Sequence, residues 1–131
     1  DFAKEYADSL YESTGHIALI TDRDMVIAVA GAPKKEFLDK PISKAVEKAI
    51  EDRKVVLIPK PGDHKYCEAC PVVEEEGQCK FTAQVIAPII AEGDPIGAVI
   101  LCSKEPNVVM GDLEVKVTET AAGFLAKQME Q

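Results

Sequence analysis

The sequence predicts an α+β fold, a central antiparallel sheet flanked by helices, on three observations. Residues 81–103 form two apolar runs, FTAQVIAPII and PIGAVILCS, around the polar joint Ala91-Glu92-Gly93-Asp94-Pro95. Runs this rich in Val, Ile and Ala suit strands buried on one or both faces, and Gly and Pro in the joint let the chain reverse. Ile42, Ala45, Val46, Ala49 and Ile50 recur at the spacing of one helix face. Both ends of the chain also read as amphipathic helices. The long hairpin is the element on which the rest is expected to pack.

In chain order, Phe2, Ala3, Tyr6, Ala7 and Leu10 fall at helical spacing, and Gly15 is a stop signal. Residues 16–21 and 25–30 are short apolar runs split by Asp22-Arg23-Asp24, a hairpin pattern. His16, at the start of the first run, reads as a surface or capping residue, because no second metal-ligating side chain lies nearby in sequence. Pro33 suits the first turn of a short helix over 34–39, and Ser43 is placed to cap the helix that follows. Residues 55–58 then form a third strand. Gly97, early in the second run of the hairpin, marks a bulge or a close backbone approach. The final helix, 111–131, carries two stripes: Leu113, Val117, Ala121 and Phe124, and Val115, Ala122, Leu125 and Met129. Two stripes predict a helix that packs on its own sheet and on a second subunit.

Composition bounds the function. The chain has 131 residues, 47% of them hydrophobic and 29% charged, which fits one soluble globular domain. Fifteen basic residues against 23 acidic ones give a net charge of −8, so this piece is not expected to bind nucleic acid by itself, since phosphate contacts need a basic surface. No apolar run approaches the roughly 18 residues of a membrane span, and no signal peptide is visible. The chain begins at Asp1, without Met, in helical sequence, and is expected to be a fragment separated from an N-terminal partner domain. No phosphate loop, Gly-x-Ser-x-Gly or HExxH motif is present, and Glu74-Glu75-Glu76 reads as a solvated acidic loop.

The sharpest chemical constellation lies in the irregular segment 59–80. Cys67 and Cys70 form a Cys-x2-Cys pair, Cys79 follows, and His64 precedes the pair by three residues. Zinc takes four such ligands in a tetrahedron, and thiolates can also hold an iron–sulfur cluster. His64, Cys67, Cys70 and Cys79 are therefore the candidate metal ligands, with Cys102 a weaker alternative on a core strand. The competing readings are thiols kept reduced in the cytosol, or an oxidised Cys67–Cys70 or Cys70–Cys79 pair. A metal here would staple the loop; no open coordination position or general base suggests catalysis.

Several longer segments carry a family resemblance. DFAKEYADSLYES at 1–13, GH at 15–16, DRD at 22–24, KPIS at 40–43, GDPIGAVI at 93–100 and ETAAGFLAKQMEQ at 119–131 resemble the C-terminal GAF domain of the stage V sporulation protein T family, AbrB-type sporulation transcription regulators. The resemblance implies a GAF-like (PAS/GAF superfold) sensor and dimerisation domain over 1–131, with an AbrB-type DNA-binding domain outside this chain. It implies that the first and last helices form an intersubunit bundle, in a dimer or tetramer, and that the protein is cytoplasmic, non-enzymatic and touches DNA only through the missing domain. It implies sensing of a small molecule or cellular state. Fold logic puts that pocket between the sheet, the short helix and the 59–80 loop, with Phe37, Leu38, Gln84 and Cys102 as candidate lining. The expected mechanism is a population shift in which a ligand or metal orders that loop and the terminal helices repack. Cys67, Cys70 and Cys79 depart from the family pattern, so no metal or redox role is carried over to them.

Two rival readings stand beside this one. A GAF-fold thiol enzyme such as a free methionine sulfoxide reductase would use Cys79 as nucleophile and Cys67 or Cys70 as resolving thiol. Against it, Ala83 and Gln84 stand near the place where those enzymes carry an acidic residue. The other is a structural dimerisation module whose pocket is filled by side chains. Elemental analysis with a thiol count, on protein purified without a His-tag under reducing conditions, tests the cysteine reading. One zinc or one iron–sulfur complement per chain, lost in a Cys67→Ser/Cys70→Ser variant, is the result expected of a metal site. Metal-free protein with four titratable thiols removes it.

Overall fold

The computed structural model describes residues 2–60, 65–66 and 81–130. Helix α1 (Phe2–Thr14) buries Ala7 and Leu10 and ends where Gly15 turns to φ +75°, its N–H donating to the Tyr11 carbonyl. Strands β1 (Ile17–Thr21) and β2 (Val26–Ala30) form the first hairpin. The Asp22 carboxylate accepts the Asp24 and Met25 N–H groups at 2.8 Å each, which closes the turn without a glycine. Helix α2 (Lys34–Phe37) is two residues shorter than the pattern predicts. Asp39 takes φ +63°, and its N–H donates to the Val26 carbonyl, so the edge strand draws the chain out of the helix. Helix α3 (Lys44–Asp52) has Ser43 as N-cap, accepting the Val46 N–H at 3.2 Å, and buries Ala45, Val46, Ala49 and Ile50.

Strands β3 (Val56–Ile58), β4 (Ala83–Ala91) and β5 (Asp94–Ser103) complete a five-stranded sheet in the order β2-β1-β5-β4-β3, antiparallel throughout. The hairpin reverses on Glu92 (φ +52°) and Gly93 (φ +82°) alone. Pro95, expected in the turn, is already part of β5 and lies opposite Ile90 beside a register irregularity, where a residue without an N–H can be accommodated. Helix α4 (Asp112–Met129) starts at Gly111, whose N–H donates to the Glu114 carboxylate at 2.8 Å.

Side-chain alternation on the strands makes two cores. Leu19, Ile86, Ile100 and Cys102 face α2 and α3, with Phe37, Val46, Ala49 and Ile50 against them. Ala18, Ile20, Ala87, Ile89, Val99 and Leu101 face the other way, onto Ala7 and Leu10 of α1 and Ala121 and Leu125 of α4. On that second face α1 lies over β1 and β2, and α4 over β4 and β5. The ends of the two helices are tied where His16 Nε2 stands 3.7 Å from the Glu114 carboxylate. His16 is thus half-buried against α4, and its backbone N–H donates to the Thr14 hydroxyl.

Gly97 is fixed by a backbone approach. A Cβ built there would lie 2.0 Å from the Thr21 carbonyl oxygen, a position no rotamer can relieve. Gly97→Ala is therefore expected to lower the unfolding free energy by about 3 kcal/mol, measured by urea denaturation, because β1 and β5 must separate. An unchanged midpoint would show that the strands can shift without loss.

Candidate functional site

The predicted lining residues fall on one layer, the face of the sheet under α2 and α3. Phe37 and Cys102 are buried in that core, and Leu38 packs at its edge. Gln84 lies between Ile58 and Cys102 across the ladder, so its side chain stands on the same face. It is 5% exposed, a polar side chain set into a largely apolar layer. His64, Cys67, Cys70 and Cys79 lie outside the described residues. Among the described residues, no three His, Cys, Asp or Glu side chains gather as a metal group.

Contacts that local spacing could not reveal close this layer. Phe37 stacks on Phe81 with ring centroids 5.7 Å apart and an interplanar angle of 16°. Lys104, just beyond β5, forms an ion pair with Glu36 of α2 and sits 5.2 Å from the centre of the Phe37 ring. Tyr66 is buried beside α3 and donates its hydroxyl to the Asp52 carboxylate. That hydrogen bond, then burial, then the Asp52 charge push the phenol up to about 12. The sequence signal for these pairs is slight, because the partners lie 14 residues apart for Tyr66–Asp52 and 68 for Lys104–Glu36.

A second feature lies on the opposite face. A groove of about 630 Å³ runs between α1 and α4, lined by Phe2, Tyr6, Ser9 and Leu10 on one side and Val117, Thr120, Ala121 and Phe124 on the other, with Glu5 and Lys116 along it. Phe2, Tyr6 and Phe124 form a ring cluster, with Phe2 and Phe124 stacked at 6.2 Å and Tyr6 and Phe124 at 5.3 Å. Phe2 is 46% exposed, Phe124 44% and Leu113 71%, so this single chain leaves a band of large apolar side chains uncovered. Each of the two stripes predicted on the last helix is split here between a buried and an exposed side. Ala121, Ala122 and Leu125 are buried on the sheet, whereas Leu113, Phe124 and Met129 stay exposed.

The pattern of the family described as "Stage V sporulation protein T C-terminal, transcription factor" matches residues 1–130. The chain belongs to this family. It is 48% identical over 131 residues to stage V sporulation protein T of Bacillus subtilis (strain 168), a match covering 100% of this chain and 68% of that protein. Solved GAF domains share the fold. The second GAF domain of DevS from Mycobacterium smegmatis superposes with a TM-score of 0.73 at 15% identity, covering 96% of this chain and 88% of that one. The cofactor-binding GAF domain of the nutrient sensor CodY from Clostridium difficile gives 0.66 at 14%, covering 96% and 83%. The type II free methionine-R-sulfoxide reductase from Thermoplasma acidophilum gives 0.70 at 13%, covering 96% and 91%. A sensor and an enzyme resemble this chain equally in shape, so fold alone does not choose between them. The family does: its members are described as transcription factors, and the enzyme reading is the less supported one. Among the described residues, no helix is long and apolar enough to cross a membrane.

Tyr66→Phe removes the hydroxyl from Asp52 and is expected to cost about 1 kcal/mol at neutral pH. Because the folded phenol titrates near 12 rather than 10, its contribution is complete below pH 10 and is lost as pH rises from 10 through 12. Urea unfolding of both proteins at pH 7 and pH 11 should show the gap narrowing at the higher pH. A gap that stays constant would mean that the bond to Asp52 does not set the phenol's protonation.

Proposed function

We propose that this domain is the sensory and assembly part of a cytoplasmic sporulation transcription regulator, reaching DNA through a separate domain. A small molecule occupies the layer under α2 and α3, beside Phe37, Leu38, Gln84 and Cys102. A second copy of the chain covers the groove between α1 and α4. The observation that carries the reading is the uncovered aromatic and aliphatic band on α1 and α4, in a chain whose family is described as a transcription factor.

The sheet gives the two layers a mechanical connection. Ile100 and Cys102 of β5 point into the α2–α3 layer, and Val99 and Leu101 of the same strand point into the α1–α4 layer. A displacement of β5 by a ligand on one face is therefore felt by the helices on the other, since packed interiors transmit strain. A coupling of about 1–3 kcal/mol between the layers suffices for regulation.

Sedimentation equilibrium tests the assembly half. The wild-type chain is expected to be at least dimeric at micromolar concentration. Phe124→Glu, which puts a charge into the band, is expected to weaken association about 100-fold or more. Its circular dichroism should be unchanged, because residue 124 is not part of the core. A wild-type chain that stays monomeric at roughly 100 μM, a dissociation constant implying under about 6 kcal/mol of association, overturns this reading.

A further inference from the structure

We propose that α2 is a lid on the small-molecule layer, hinged on strand β2 and latched at its tip by Lys104. This rests on the proposed occupancy of the layer under α2 and α3, and it says how that layer is opened. Phe37, Gln84 and Cys102 are all buried, so a small molecule reaches them only when one wall of the layer moves.

The two helical walls are held very differently. Helix α3 runs nine residues, buries Ala45, Val46, Ala49 and Ile50, and is capped by Ser43. Helix α2 runs four residues and buries Phe37 alone. Pro33 before it and Leu38 after it are both extended, with ψ 132° and 133°, so the single turn hangs between two straight joints. Both joints lead back to one strand. The chain leaves β2 after Ala30 and returns where Asp39, at φ +63°, donates its N–H to the Val26 carbonyl. A segment anchored at both ends on one edge strand can swing about that strand while the rest of the sheet stays in place.

The tip is fastened away from this base. Strand β1 separates β2 from β5, yet Glu36 pairs with Lys104, directly after β5, and the Lys104 ammonium lies 5.2 Å from the centre of the Phe37 ring. Phe37 in turn stacks on Phe81, two residues before β4. Phe81 and Lys104 sit at the same end of the β4–β5 ladder, where the Thr82 N–H donates to the Ser103 carbonyl. Gln84 and Cys102 face each other on the second rung of that ladder, just inside the latch. The fastening is of a weak kind. The ion pair is partly exposed, 38% at Lys104 and 26% at Glu36, so water and salt screen it. The lid is therefore closed at rest and opens locally, without unfolding of the sheet.

The Cys102 thiol, fully buried in the same core as Phe37, reports the lid. Its labelling by iodoacetamide, followed at Cys102 by peptide mass spectrometry in the otherwise unaltered chain, runs at a rate set by the fraction of molecules whose layer is open. Glu36→Gln is expected to raise that rate about threefold, and Lys104→Met, which also takes the ammonium from Phe37, about tenfold. Lys104→Arg, which keeps the charge, should stay within about twofold of wild type. Lys44→Met, which breaks the Lys44–Glu47 pair on α3, should leave the rate unchanged. Melting temperatures close to wild type in all four variants make the rates a measure of local opening. A Cys102 rate indifferent to Glu36→Gln and Lys104→Met, or raised equally by Lys44→Met, overturns the lid. So does a wild-type rate no faster than global unfolding extrapolated from urea. The labelling needs no ligand. A latch-controlled rate in protein whose native mass spectrum, after purification from sporulating cells, shows no bound small molecule upholds the lid and counts against occupancy of the layer.

Discussion

The approach of β5 to β1 at Gly97 is the constraint from which the architecture follows. With the Thr21 carbonyl where a Cβ would stand, only a glycine fits at this point of the β1–β5 pairing, and β5 is the middle strand of five. A middle strand in so small a protein has no solvent side. Residues 97–103 are apolar on both faces apart from Ser103, which is itself buried with its hydroxyl accepting the Glu105 N–H. Both faces of such a strand must be covered, and a chain of this length can supply only one thin layer on each. Short helices α2 and α3 cover one face, and the terminal helices α1 and α4 cover the other.

The two layers are finished in different ways. The α2–α3 layer is closed by side chains from distant parts of the chain: Phe81 on Phe37, Lys104 on Glu36, Tyr66 on Asp52. Its buried Gln84 is a polar side chain in a largely apolar lining, the kind of group that fixes the orientation of a small molecule. The α1–α4 layer is closed toward the sheet but open outward. Its helices are joined at their ends through the ring cluster and through the His16–Glu114 contact, with a groove between. Glu114 accepts the Gly111 N–H, and that bond, ahead of the nearby His16, holds its carboxyl below the ordinary value. The charge that caps α4 is therefore kept down to acidic pH, and the stability it contributes is lost only as pH falls through its lowered folded value.

A layer closed by long-range contacts on one side and an open apolar groove on the other suits a domain that receives a signal and passes it to an assembly. Apart from Thr21, Gln84 and Ser103, the buried side chains of the central strands are apolar, and those of β4 and β5 pack on alternate faces into the two layers. The fold is shared with proteins that differ in what they do. What separates them is chemistry set into the layers, which is why the family membership, and not the shape, decides the functional reading here.

Local order was determined by the sequence itself. The 3.6-residue period of Ile42 to Ile50, the cap at Ser43, the Asp22 turn and the two long apolar runs each act within a few residues, and each appears where its pattern places it. One boundary moved where a distant partner intervened, when β2 drew Asp39 out of α2, and another inside the long hairpin, where Pro95 joined β5. Tertiary structure alone decided which residues of α4 are buried. Both stripes are apolar, and the position of the sheet cut across them, putting Ala121, Ala122 and Leu125 inside and leaving Leu113, Phe124 and Met129 outside. It also decided that Phe37, Gln84 and Cys102 share one layer, because that depends on strand order and register rather than on spacing along the chain. The candidate metal ligands His64, Cys67, Cys70 and Cys79 rest on spacing alone. Sequence periodicity reports which residues share a face of one element; which elements meet is set by the burial of all faces at once, and that quantity has no local signature.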